Sequence, residues 1–182
     1  CLRTAWLAYR LGQLKGLDSR QLTALVRAAF LHDLGKAHPS YKRAPTEHPT
    51  LAMSLLEGKI KLSSHRDIEL AITNLILYHH RITSAPRKYR RLVRLLSIVD
   101  ILDDSCDYAR PNLRRGYFTP VEDLIDVYFN RLRINGEISR NLFEDIKGLC
   151  SDKEIREMLL ESDPIIRLHN AVMLVAGYPH KK

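Results

Sequence analysis

An all-helical fold is predicted by three observations: apolar residues recur at helical spacing, helix-starting and helix-stopping residues punctuate them, and no convincing set of strands or internal repeats appears. With 182 residues, 45% of them hydrophobic, the chain can bury one good core and falls within the range of a single domain. The expected organisation is one domain over 1–182, with a site-bearing core at about 1–115 and a helical extension at about 116–182.

The elements follow in order. Leu2 to Leu14 has an amphipathic pattern that ends at Gly16. Asp18-Ser19-x-Gln21 can cap a second helix running to His32-Asp33. A loop rich in Pro, Lys and Ser then spans about Lys36 to Glu47, and Pro49 suits the first turn of the next helix. Further helices are expected at about 49–58, 65–80, 87–106, 119–134, 137–148, 151–161 and 164–176, with Gly, Pro, Asn or Asp near many of the breaks. Gly177-Tyr178-Pro179 reads as a helix stop followed by a turn.

Polar clusters interrupt these apolar runs. His32-Asp33-Leu34-Gly35-Lys36 closes the stretch Ala28-Ala29-Phe30-Leu31. Gly35 is expected to leave the helix in a left-handed conformation, which puts His32 and Asp33 in its last turn, where unpaired carbonyls and the dipole favour a cation. Lys36, one step on, is able to meet an anion. A second apolar run ends in His79-His80, and Leu95-Leu96-Ser97-Ile98-Val99-Asp100-Ile101-Leu102 carries Asp100 as its only charge. A carboxylate in so apolar a helix needs a partner, whether a metal ion, a Tyr or an Arg, or else lies on a polar stripe with Asp103, Asp104 and Asp107. His48 starts a helix and is fixed in direction there, although alone it reads as an ordinary surface histidine. His38, His65, His169 and His180 read as surface or packing residues.

Cys1, Cys106 and Cys150 are odd in number and form no C-x-x-C pattern, so neither a disulfide framework nor a thiolate zinc site is suggested, and a reducing, cytoplasmic setting fits. No run approaches the roughly 20 apolar residues of a membrane span. The net charge of +8 is concentrated in Arg81, Arg87, Lys88, Arg90, Arg91 and Arg94, and again in Arg110, Arg114 and Arg115. Such segments either hold phosphates, to which Arg offers bidentate contacts, or form a solvated basic face. No groove-reading motif suggests duplex nucleic acid as a partner. Imidazole with carboxylate and no thiolate suits Mn, Fe, Zn, Ni or Co.

His32-Asp33-x-Gly35-Lys36, then His48-Pro49, His79-His80 and Ile98-Val99-Asp100, together resemble the HD superfamily of metal-dependent phosphohydrolases, most closely its HD-GYP branch. Arg110-Pro111 and Thr119-Pro120-Val121-Glu122-Asp123 resemble that branch's Arg-Pro loop and following helix, so the likeness covers about residues 1–135. The resemblance implies one or two divalent transition metals, with Asp33 bridging, His32 and Asp100 on one metal, and His48, His79 and His80 on the other. It also implies catalytic roles for Asp33 and Lys36, and substrate-phosphate contacts from Lys36, Arg81, Arg87 and Arg110. Hydrolysis of a nucleotide-type phosphoester follows, with cyclic di-GMP the leading substrate; the alternatives are a mono- or dinucleotide phosphatase, or a non-catalytic sensor or nucleotide-binding module. Two departures stand out. The Glu and Gly-Tyr-Pro expected after the double histidine are replaced by Arg81-Ile82-Thr83-Ser84-Ala85-Pro86-Arg87, and the family's first metal-binding His belongs just before Cys1. The chain is therefore expected to be a piece of a longer protein, with room for an attached regulatory domain.

Overall fold

The computed structural model of the chain describes residues 1–114, 130–134 and 139–153, and every regular element among them is helical. In chain order these are α1 (Leu2–Leu14), α2 (Ser19–Leu31), α3 (His48–Leu56), α4 (Arg66–Tyr78), α5 (Arg90–Arg114), α6 (Asn130–Ile134) and α7 (Arg140–Cys150), with single 3₁₀ turns at Leu34–Ala37, Pro45–Glu47 and Ile82–Ser84. Two compact units divide the chain: Cys1–Val99 belong to the first, and the second begins at Asp100. No helix among the described residues is long and apolar enough to cross a membrane.

In the first unit α1 packs on α2, α2 on α4, and α3 on both α4 and the Leu34–Ala37 turn. The reason is the spacing of apolar side chains. On α4, Ile68, Ala71, Ile72, Leu75 and Ile76 are buried, a one-sided stripe at helical period. Ile72, Leu75 and Ile76 are wholly covered, as are Leu7, Leu11, Leu25, Leu56 and Leu96. Each such side chain contributes on the order of 2 kcal/mol by leaving water. α2 starts with a complete capping box: the Asp18 side chain accepts from the backbone of Arg20 and Gln21, while the Gln21 side chain accepts from Asp18 N–H. α1 stops at Gly16, whose φ of 63° suits a residue without a Cβ.

In the second unit α7 is capped by the Ser139 hydroxyl, which accepts from Leu142 N–H. Its Leu142, Ile146, Leu149 and Cys150 are buried.

Several element boundaries depart from the sequence-based expectation. α4 closes at Tyr78 rather than at residue 80, which frees His79 and His80 from the helix. α5 begins at Arg90 and continues to Arg114, so Arg110 and Pro111 lie inside a helix rather than in a loop after it. A helix continues past a proline when the remaining backbone bonds outweigh the one that Pro111 cannot donate. Of the expected helix at 119–134 only Asn130–Ile134 is described, and the helices expected at 151–161 and 164–176 fall outside the described residues apart from 151–153.

Candidate metal centre

α2 and α4 end side by side with the same local device. His32 caps α2, and its Nδ1 donates to the carbonyl of Ala29, 2.8 Å away. His79 caps α4, and its Nδ1 donates to the carbonyl of Ile76 at 2.7 Å. His48, the first residue of α3, donates from Nδ1 to the Pro45 carbonyl at 3.0 Å. A carbonyl oxygen can only accept, so Nδ1 carries the hydrogen in all three rings. The neutral tautomer then turns an Nε2 lone pair inward, the arrangement in which metal-binding histidines are held by a second bond to carbonyl or carboxylate.

Those lone pairs converge. His48 Nε2 lies 3.3 Å from His79 Nε2 and 3.2 Å from His80 Nε2. His48 and His79, each with its hydrogen on Nδ1, meet there as two acceptors, which repel unless a cation lies between them, whether a proton or a metal. The spacing matches a metal: imidazole nitrogens about 2.0–2.1 Å from a tetrahedral first-row ion stand roughly 3.3 Å apart. His48, His79 and His80 form a group able to hold an ion, with their ligand atoms within 4.8 Å of one another. Both helix C-termini add partial negative charge at the same place.

Asp33 lies between these rings. Its Oδ2 is 3.5 Å from His32 Nε2 and its Oδ1 is 3.5 Å from His48 Nε2. Lys36 Nζ closes on the same carboxylate, 2.7 Å from Oδ2. His32, His48, His79 and Asp100 are buried, Asp33 is partly covered, and His80 is exposed, which leaves one side of the centre open.

The chain reaches this geometry through a tight contact rather than through a left-handed turn. The expectation for Gly35 is corrected here: its φ is not positive, and it sits in the 3₁₀ turn Leu34–Ala37. A Cβ at Gly35 would fall on the His48 carbonyl and 2.7 Å from Ala52 N, so glycine is required because the backbone of α3 passes against it. His32 and Asp33 accordingly stand just past the end of α2, not in its last turn.

The phosphate-binding candidates are placed less uniformly. Arg81 follows His80 and faces Glu47, with Nη2 3.9 Å from Oε1, an exposed pair beside the His48–His80 contact. Arg87 is exposed in the turn before α5. Arg110 lies on α5, and its side chain falls outside the described residues. Sequence reasoning passed over Ser97, whose buried hydroxyl donates to the His79 carbonyl, with the Val93 carbonyl as the alternative acceptor, and so ties α5 to the double histidine. A lone hydroxyl inside an apolar helix is the signal that could have found it.

The family model described as HD domain matches residues 1–105, more than half of the chain and all of the centre just described. No curated protein and no solved structure matches the chain.

Proposed function

The chain belongs to the HD domain family, and we propose that it is a metal-dependent phosphohydrolase acting on a nucleotide-type phosphoester. The observation that carries this reading is the convergence of the Nε2 atoms of His48, His79 and His80 at 3.2–3.3 Å, beside a carboxylate that reaches His32 with one oxygen and His48 with the other. In this reading divalent transition-metal ions would be held by Asp33 together with His32 and Asp100 on one side and with His48, His79 and His80 on the other.

Ions held there supply an acidified water and neutralise charge on the phosphoryl oxygens. The protein's own groups do the rest. Carbonyl bonds at Nδ1 keep His32, His48 and His79 in one tautomer and one direction, so no reorganisation is required when charge develops. Lys36 stands on the Asp33 carboxylate and can turn its ammonium to a phosphoryl oxygen on the exposed side, with Arg81 at the rim. A well-placed donor of this kind contributes on the order of 3 kcal/mol to the transition state.

Cyclic di-GMP is the first substrate to test, by likeness to the HD-GYP branch. One observation favours a second reading, a metal-holding sensor without turnover: the segment after His80 is a short 3₁₀ turn at Ile82–Ser84 instead of the branch's Gly-Tyr-Pro loop. A panel on metal-reconstituted protein separates the two, using a phosphomonoester, a simple phosphodiester, cyclic di-GMP and common nucleotides. Turnover of one class is expected. Full metal occupancy with no turnover of any member would overturn the hydrolase in favour of the sensor, and failure to take up metal would overturn both.

A further inference from the structure

The loop between the Asp33 turn and α3 contains an aromatic ring and two cations that the proposed chemistry does not use. Tyr41 is half-buried, and its ring stands T-shaped against the His48 ring, with centroids 6.4 Å apart and planes at 84°. Successive turns hold it there: His38 N–H donates to Gly35 O at 3.0 Å, Tyr41 N–H to His38 O at 2.9 Å, and Ala44 N–H to Tyr41 O at 3.1 Å. Gly35 in turn abuts the backbone of His48. The loop therefore starts and ends on the same histidine, which keeps Tyr41 at the edge of the metal centre.

Lys42 and Arg43 come next, both exposed. No acidic residue occurs between Lys36 and Thr46, and among the described residues neither cation has an ion-pair partner. Lys36 and Arg81, by contrast, are tied to Asp33 and Glu47. A ring at the edge of a cation-binding cluster, followed by two uncommitted positive side chains, suits a ligand that carries an aromatic base and an anionic group beyond the phosphate at the metals. Base and phenol ring stack with little regard to sequence, and Lys and Arg hold phosphate through charge-assisted bonds.

We propose that Tyr41, Lys42 and Arg43 form the specificity element of the site, selecting a nucleotide that carries a phosphate in addition to the one cleaved. This rests on the phosphohydrolase reading above. The test is calorimetric binding to the metal-reconstituted full chain with GMP, GDP and ribose 5-phosphate, alongside metal content. Tyr41→Ala should weaken GMP and GDP by about 10-fold or more while leaving ribose 5-phosphate unchanged, and Tyr41→Phe should bind as the parent does. The double change Lys42→Gln with Arg43→Gln should abolish the preference for GDP over GMP. If Tyr41→Ala weakens all three ligands equally or sheds metal, Tyr41 only props His48 and the inference is overturned. Tyr41-dependent GDP binding in a protein that hydrolyses no phosphoester would instead sink the hydrolase reading alone. Turnover that persists with binding indifferent to Tyr41→Ala would sink this inference alone.

Discussion

The two ends of α2 are both rich in polar groups, and they differ in what those groups are: capping and ion-pairing side chains at one end, imidazoles and a carboxylate of metal-ligand type at the other. At the N-terminal end Asp18 Oδ1 accepts from Arg20 N and Gln21 N at 2.9 Å each, Gln21 returns a bond to Asp18, and Arg20 pairs with Asp67 at 3.2 Å. A surface cleft opens there, lined in part by Asp18, Arg20, Gln21, Asp67, Lys88 and Tyr89. Its carboxylate caps, and its guanidinium is paired. At the C-terminal end Asp33 meets His32 and His48 as well as the Lys36 ammonium, and His48 meets His79 with Nε2 facing Nε2. A concavity therefore says less than a convergence of ligand-type side chains does. The first end closes on itself through its cap and ion pair, whereas the second gathers several imidazoles and a carboxylate at one point.

The sharpest way to break that contrast is to remove the carboxylate common to the inward-facing groups. If Asp33 serves both ions as proposed, Asp33→Ala should lose both metals by elemental analysis and reduce hydrolysis on the order of 1,000-fold or more. His80→Ala should shed about half of the metal, because the proposed reading puts His80 on only one of the two ions. Equal, full occupancy in both variants would show that the ligand assignment is wrong.

A smaller effect separates two glycines. Gly35→Ala drives a Cβ into the His48 carbonyl and Ala52 N, and forced overpacking of this kind costs about 2 kcal/mol, with metal affinity falling as α3 is displaced. Gly16→Ala meets open space, so it costs only the left-handed backbone penalty of about 1 kcal/mol and keeps its metal. Denaturant titration with parallel metal analysis checks both. A Gly35→Ala protein as stable as the parent would mean that the α3 approach is not tight.

The smallest effects belong to the N-terminal end. Asp18→Ala should cost about 1 kcal/mol through the lost cap. Arg20→Gln should cost no more than about 0.5 kcal/mol, because the Arg20–Asp67 pair is well exposed. Neither should change metal content or turnover. Loss of activity in either, at unchanged stability, would mean that the cleft takes part in function after all.

The helices and the residue types of the centre were legible in the sequence because they depend on neighbours along the chain. The capping box at Asp18 and Gln21, the stop at Gly16 and the apolar stripe of α4 each involve residues within a few positions of one another. His32, Asp33, His79 and His80 stood out because polar groups ended runs that had to be buried, whereas His48, read alone as a surface histidine, proves buried in the centre. Tertiary structure alone decided what those groups do together. That Gly35 serves a backbone crossing, that Asp33 reaches two histidines, and that Ser97 ties α5 to His79 all depend on segments brought together from distant parts of the chain. The carbonyl bonds that fix each tautomer are local, yet only the packing of α3 on α4 turns three ordinary histidines into one convergent set of lone pairs. Periodicity encodes which face is buried; the distance between two lone pairs is set only when the faces meet.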